Sequence, residues 1–485
     1  SIAAGFGVGI SSLSTTAVAS SASGAWEIYA SSSIYFNRNG TQTSITGTFS
    51  AGDTLQIAFD STNSKSWVGI NNIWYDSSNG TTGNPSTGSN ATFTSLPSDI
   101  FVIANTYSNT LSVNFGQKPF KFPPPAGFQP LTLANTPRPT IVRPDQYVGV
   151  TTYTGNGSTQ SINTGFQPDF VWIKNRTDAS TNNSLFDSVR GAGISTSNSR
   201  RLSSDNTNAE FTSGDQYGYL SSFDPYGFSI SKGTASPDNT NGSAKNYVAW
   251  AWKAGGSGGG NSYWVNGTGY STASAAGLTA GTITPTGASV NTKSGFSIIT
   301  YTGNGVAQAS GGASISHGLN SVPKLMIVKS RDTGSTNWSV WHSSLTAAGY
   351  SILLNDPGGE SSGATAFNST LPTSSLFYVG QAAGGSLTNK LNDRYIAYLW
   401  AEIPGFSKFG SLTGNLSTDG PAVITGFRPR WILIKKINAG STGGGTTSDW
   451  WIWDTTRNTY NVMNSVLYAN LSDAEYSDSS TFLLD

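Results

Sequence analysis

Cysteine is absent, which excludes disulfide staples, thiolate nucleophiles, thiolate zinc sites and iron–sulfur clusters. Histidine is nearly absent, with only His317 and His342. A His-rich metal centre is therefore excluded, and a Ser-His-Asp triad would have to use one of these two. Charged residues make up 11 % of the chain, against roughly 25 % in an average soluble domain. The 26 basic and 26 acidic side chains cancel. Clustered Lys and Arg are missing, so nucleic acid is not an expected partner. No apolar run approaches the roughly 18 residues that span a bilayer, so the chain is not expected to be membrane-embedded. Ser1 to Gly24 lack the basic region and compact apolar stretch of a signal peptide. With Ser at position 1, the sequence reads as processed or as part of something longer.

Among the 485 residues, 36 % are apolar and 12 % aromatic, enough to build cores, and Ser, Thr, Asn and Gly take over the work of solubility. At roughly 100 to 200 residues per domain, three or four domains are expected. Clusters of Gly, Ser, Thr and Asn recur between short apolar runs, and no long stretch has apolar residues at helical spacing. The expected class is all-β, as tandem antiparallel β-sandwiches of concanavalin-like or jelly-roll type.

Internal repetition organises the chain. Tyr153-Thr154-Gly155-Asn156-Gly157 returns as Tyr301-Thr302-Gly303-Asn304-Gly305. Behind the first stands Gly165-Phe166-Gln167-Pro168-Asp169-Phe170-Val171-Trp172-Ile173-Lys174, and behind the second Gly318-Leu319 and Pro323-Lys324-Leu325-Met326-Ile327-Val328-Lys329. A third copy reads Gly426-Phe427-Arg428-Pro429-Arg430-Trp431-Ile432-Leu433-Ile434-Lys435. Each is a Gly turn, a Pro that fixes φ, and an apolar strand covered on both faces, with the terminal Lys expected to reach solvent. A following strand has apolar residues at Leu185, Val340 and Ile452 and at Phe186, Trp341 and Trp453, which are core positions by internal comparison. Closing strands Tyr247 to Trp252 and Tyr395 to Trp400 end the first two copies. The third matches Leu202 to Phe211 with Leu467 to Tyr476 and has no closing strand. A sandwich without it has an open edge and core, so the expectation is that the polypeptide continues or another subunit supplies the strand.

The expected organisation is a sandwich over 1–131, a Pro-containing linker over 132–146 with Pro137, Pro139 and Pro144, a first repeat over 147–254, a linker or inserted hairpin over 255–294 anchored by Tyr263-Trp264, a second repeat over 295–405 and an incomplete third over 406–485.

The first block carries Gly52-Asp53-Thr54-Leu55-Gln56-Ile57-Ala58-Phe59-Asp60, then Lys65-Ser66-Trp67-Val68-Gly69-Ile70-Asn71-Asn72-Ile73-Trp74. It closes with Asn114-Phe115-Gly116-Gln117-Lys118-Pro119-Phe120, Pro123-Pro124-Pro125 and Gly127-Phe128. This order resembles the SPRY domain, and the resemblance implies a concanavalin-like sandwich whose loops bind partners. The repeated unit over roughly 147–485 resembles virion proteins of marine tailed bacteriophages. That resemblance implies a tail fibre, tailspike or related host-contact appendage, assembled in the host cytoplasm. Its implied partners are other tail proteins and a host-surface glycan or outer-membrane protein, and its implied state is a homo-oligomer, with a trimer favoured. It brings no catalytic residues and no cofactor.

Glycoside hydrolysis is the enzymatic alternative, since such sandwiches can hold two carboxylates about 5.5 Å or 6.5 to 9.5 Å apart. Yet acidic residues stand mostly in turns, as in Asp76-Ser77, Asp224-Pro225 and Asp356-Pro357, where they cap the backbone. Gly255-Gly256-Ser257-Gly258-Gly259-Gly260 lacks the Lys-Ser/Thr and helix of a phosphate loop. His317 precedes a turn glycine, and His342 stands where the other copies have Asp187 and Asp454. No catalytic, metal or cofactor site is expected. Aromatic side chains remain as contact candidates: Trp450 and Trp451, where the third copy has bulk and other copies tolerate polarity, and Tyr29 and Tyr35 near the Asn37-Arg38-Asn39-Gly40 turn. The expected function is non-covalent adhesion within a phage tail, with a secreted bacterial adhesin or matrix protein as the alternative of another class.

Overall fold

Short antiparallel strands joined by Gly-, Asn- and Ser-rich turns make up the regular structure of the computed structural model, and the fold is all-β. It describes residues 4–10, 23–30, 33–45, 47–98, 100–106, 110–132, 134–135, 139–193, 195, 198–212, 216–362, 366–381, 388–415, 420–438 and 449–482. Pro137 of the expected linker and most of the stretch weighed as a leader lie outside these residues. The chain divides into one unit of Ser1–Arg138 with Ser411–Ile424 and another of Pro139–Gly410 with Thr425–Asp485.

In the first unit, β1 (Ala4–Ile10), β2 (Ala25–Ala30), β3 (Ile34–Arg38), β4 (Thr41–Ile45), β5 (Leu55–Asp60), β6 (Lys65–Ile70), β7 (Ile73–Trp74) and β8 (Ile100–Thr106) form two sheets. Their orders are β4-β3-β2-β1-β8 and β5-β6-β7. Val8, Ile28, Ile34 and Phe36 of the larger sheet form one apolar cluster with Val68 and Ile70 of the smaller. Tyr75 and Phe93 meet the Phe36 ring edge-on, at 5.5 and 6.0 Å. Trp67 is fully buried and its indole donates to Ser89 O at 2.8 Å, so the ring is buried without losing its hydrogen bond.

The second unit holds the three repeats apart from Ser411–Ile424 of the third. Copy 1 has an opening strand (Val148–Thr154), a lead strand (Phe170–Asn175), a following strand (Ser184–Asp187) and a closing strand (Asn246–Trp252). The closing strand lies between lead and opening strands. A second layer, Thr159–Asn163, Gly227–Ser231 and Tyr219–Asp224, forms its own three-stranded sheet. Copy 2 repeats the arrangement with Phe296–Thr302, Pro323–Ser330, Ser339–His342 and Arg394–Ala401, backed by Ala313–Ser316 and Leu376–Val379. Residues 255–294 contain the hairpin Tyr263–Val265 and Thr268–Tyr270, which joins the copy 2 sheet through Gly287–Asn291. Tyr263 OH donates to Pro285 O at 2.8 Å.

Alternation on the closing strands explains why both faces are apolar. Val248, Trp250 and Trp252 enter a core shared by all three copies, whereas Tyr247, Ala249 and Ala251 enter the interior of copy 1. The Tyr-Thr-Gly-Asn-Gly motif ties the opening strand to the loop before the closing strand. Tyr153 stacks on Tyr247 and Tyr301 on Tyr395, both at 5.1 Å. Asn241 donates to Asn156 Oδ1 at 2.9 Å, and Asn389 to Asn304 Oδ1 at 2.8 Å. A Cβ on Gly155 or Gly303 would stand 2.1 Å from Gly242 O or Lys390 O, so only glycine fits there.

The copies do not stand as separate beads. The backbone N–H of Glu210 in copy 1 donates to Arg331 O of copy 2, that of Glu360 in copy 2 to Ile437 O of copy 3, and that of Glu475 in copy 3 to Arg176 O of copy 1. These positions are equivalent, so the bonds close a ring of three. A second equivalent set joins the same pairs of copies, with the donors now on the opposite partner. Trp338 Nε1 donates to Ser203 O at 2.8 Å, Trp450 Nε1 to Leu353 O at 2.9 Å and Asn183 Nδ2 to Tyr468 O at 3.2 Å. The shared core lies inside this ring, with Phe170, Trp250, Phe296, Tyr398, Trp450 and Ile452 all buried in it.

The lead-strand lysines correct an expectation. Lys174 and Lys329 are fully buried rather than solvated. Lys329 donates to Thr207 O of copy 1 at 3.1 Å and Lys435 to Pro357 O of copy 2 at 2.6 Å, at equivalent positions, while Lys174 donates to Thr181 O. The junction turns present carbonyls that capture an ammonium, and this takes the side chain inward. Burial lowers the pKa of each of the three to about 8, against nearby carboxylates that raise it.

The ring bonds are equivalent but the charges on them are not. Glu210 accepts from Arg190 at 3.2 Å and from Arg331 at 2.8 Å, and Glu475 accepts from Arg457 at 2.9 Å and Arg176 at 2.7 Å. Glu360 faces positions occupied by Leu345 and Ile437 and instead accepts from Thr346 N at 2.9 Å. Replacing Glu210 by Ala would leave half-buried Arg331 without this carboxylate and Arg190 with Asp187 alone, and a loss of about 2 to 3 kcal/mol is expected. Glu360→Ala is expected to cost about 1 kcal/mol. Urea unfolding of the two variants checks the difference.

Candidate functional site

The four aromatic candidates fall in different settings. Trp450 is buried, and its indole donates to Leu353 O at the junction of copies 2 and 3. Trp451 is half-buried, tilted against Trp453 at 5.4 Å and edge-on to Tyr468 at 5.6 Å. Tyr29 and Tyr35 are half-buried and directly opposite each other across β2 and β3, on the face away from Ile28, Ile34 and Phe36. The structure brings Tyr29 and Tyr35 together, and it does not join them to the tryptophans.

Acidic groups are mostly spent on structure. Asp187 pairs with Arg190 at full burial and accepts from Tyr398 OH at 2.7 Å, binding copy 1 to the closing strand of copy 2. Asp454 pairs with Arg457 at 2.5 Å and accepts from Trp250 Nε1 at 3.0 Å, binding copy 3 to the closing strand of copy 1. Asp76 accepts from Thr82 Oγ1 and from the N–H groups of Ser78, Gly80 and Thr82, and these bonds hold its pKa below the usual carboxylate value. No group of three or more potential metal ligands occurs among the described residues.

An open cleft of about 350 Å³ lies on copy 1. Its lining includes Gln146, Tyr147, Phe166, Gln167, Tyr226 and Lys253. Tyr226 lies in the two-residue turn Pro225-Tyr226 between paired strands, and its backbone carbonyl accepts from Thr164 and Gly165 N–H. That pins the turn while the ring remains 71 % exposed. Tyr147 stands edge-on to Phe406 at 6.2 Å, with Lys293 over its ring. Gln167 Nε2 donates to Phe223 O at 3.3 Å, which leaves its carbonyl oxygen available as an acceptor. Aromatic faces beside amides and an ammonium suit an uncharged polyhydroxylated ligand. Sequence reasoning missed this cleft because its residues come from the 146–147, 165–167, 225–226 and 253 stretches, which no single motif unites.

Neither histidine is placed as a base. His317 is buried: Nδ1 accepts from Leu319 N at 3.1 Å and Nε2 donates to Thr373 O at 3.1 Å. Burial lowers its pKa from 6.5 to about 4. A pKa depressed in the fold contributes stability that is complete above about 6.5 and is lost as pH falls toward 4, at most about 3 kcal/mol. His317→Asn is expected to flatten this part of the acid limb of a thermal-unfolding series between pH 7 and pH 4.

No curated protein and no solved structure matches the chain. Residues 143–484 match the family described as a domain of unknown function, DUF7483. The matched span takes in all three copies, their ring and the cleft, and the chain belongs to that family.

Proposed function

We propose that this protein is a structural and adhesive component of a tailed-phage appendage that binds a host-surface glycan non-covalently. The observation that carries this reading is the copy 1 cleft, where the exposed Tyr226 ring stands beside Tyr147, Gln146, Gln167 and Lys253. The resemblance of the repeats to virion proteins of marine tailed phages supplies the setting, with tail proteins as neighbours and assembly in the host cytoplasm. The cleft's lining among the described residues carries no carboxylate, which favours adhesion over the two-carboxylate chemistry of glycoside hydrolysis. No helix among the described residues is long and apolar enough to cross a membrane. A shallow site of this kind binds weakly, and repetition on an oligomeric appendage multiplies weak contacts through effective concentration.

The test is binding of the whole chain to purified host lipopolysaccharide or capsule. Tyr226 is exposed and its ring is not a core residue, so Tyr226→Ala is expected to leave folding intact and weaken binding about tenfold, or 1.4 kcal/mol. Equal binding by the variant removes the cleft from the reading. Release of reducing ends assigns hydrolysis instead, and particles that an antibody to the chain fails to label at the tail overturn the proposed location.

A further inference from the structure

Copy 1 departs from the other two copies at one position inside the ring. In copy 2, Asn355 ties two segments of its own copy together: Oδ1 accepts from Trp338 N at 2.8 Å and Nδ2 donates to Asn337 Oδ1 at 2.9 Å. In copy 3, Asn470 does the same, accepting from Trp450 N at 2.8 Å and donating to Asp449 Oδ1 at 2.6 Å. Counted back from Glu210, Glu360 and Glu475, the equivalent residue in copy 1 is Asp205, and Asn182 and Asn183 stand at the places of Asn337 and Trp338. An ionised carboxylate cannot make this bridge, because it accepts hydrogen bonds and donates none. Both carboxylate oxygens of Asp205 are buried without a hydrogen-bond partner among the described residues.

The two segments that this bridge would tie are the ones that grip copy 3. Thr181 N donates to Ser472 O at 3.1 Å, Asn183 Nδ2 to Tyr468 O at 3.2 Å and Leu471 O at 3.1 Å, and Ser204 Oγ to Ala469 O at 2.6 Å. The charged groups that act on Asp205 are Lys174 of the lead strand and Arg201, and Asp473 of copy 3 acts in turn on Lys174. The N–H groups of Asp205 and Asn183 also act on its charge, though neither makes a hydrogen bond to it. Burial outweighs all of these and raises the pKa of Asp205 to about 6.

We propose that Asp205 is a proton-controlled latch on the seam between copies 1 and 3. Protonated, its carboxyl has the acceptor and donor of an amide, so its carbonyl oxygen accepts from Asn183 N and its hydroxyl donates to Asn182 Oδ1, the bridge that Asn355 and Asn470 make at any pH. Ionised, it has no donor, the bridge opens, and the segments around Asn183 and Ser204 hold copy 3 separately. A carboxyl whose pKa is raised by folding contributes stability that is complete below its ordinary value of 3.8 and is lost as pH rises through about 6. The seam therefore tightens in acid and loosens toward neutrality. The latch stands on other residues than the glycan reading and does not depend on it.

The test is amide hydrogen exchange of the whole chain at pH 5 and pH 7.5, corrected for intrinsic rates and read segment by segment, because His317 changes global stability over the same range. In the unsubstituted chain, protection over 181–183 relative to 336–338, where Asn355 makes the bridge, is expected to fall at least tenfold between pH 5 and pH 7.5. Asp205→Asn is expected to keep the higher protection at both pH values. Asp205→Ala, with neither charge nor bridge, is expected to give the lower protection at both. A relative protection that does not change with pH in the unsubstituted chain overturns the proposal. An Ala variant as well protected as the Asn variant also overturns it, and assigns the pH effect to buried charge alone.

Discussion

Glu210 holds two copies together through three groups at once: its carboxylate accepts from Arg190 of its own copy and Arg331 of the next, and its backbone N–H reaches Arg331 O. A guanidinium buried beside a shared core is tolerable only when its charge and its donors are satisfied. Asp187, fully buried with Arg190, completes that requirement and extends it to Tyr398. The junction of copies 3 and 1 repeats the plan with Asp454, Arg457, Glu475 and Arg176. Much else follows from these junctions, since they bring the aromatic faces of the closing strands together.

Two of the three junctions carry arginine–carboxylate pairs, and among the described residues the third carries none. Between copies 2 and 3 the arginine positions hold Leu345 and Ile437, and Glu360 turns to Thr346. This junction keeps the backbone bond from Glu360 to Ile437 while carrying Leu345 and Ile437 at the arginine positions. The low charge of the chain, 11 %, reads differently in this light. Part of that small complement is not on the surface at all, because Lys174, Lys329, Arg190 and Asp187 are fully buried in the junction region. Much of the polarity that remains comes from Ser, Thr, Asn and Gln.

The repeats, the core positions Leu185, Val340, Ile452, Phe186, Trp341 and Trp453, and the two-faced closing strands were legible in the sequence because strand periodicity and internal comparison both mark them. The lysines were misread because a terminal Lys after an apolar strand has the same sequence signature whether it ends in water or on a neighbour's carbonyl. The partner of Trp450 was hidden for a related reason. Its bulk against Asn183 signals a contact, but the partner is Leu353 O of another copy, about a hundred residues away. The cleft escaped notice because burial and exposure at Tyr226 depend on how separate turns meet.

The sequence by itself determined an all-β chain and its threefold repetition, since each is written in local pattern. Only the tertiary structure decided that the copies close into a ring around one core and that Lys174 and Lys329 point inward. Those outcomes depend on contacts between residues far apart in the chain, where one copy's carbonyls and carboxylates satisfy another copy's donors, and no local pattern encodes which copy is the partner.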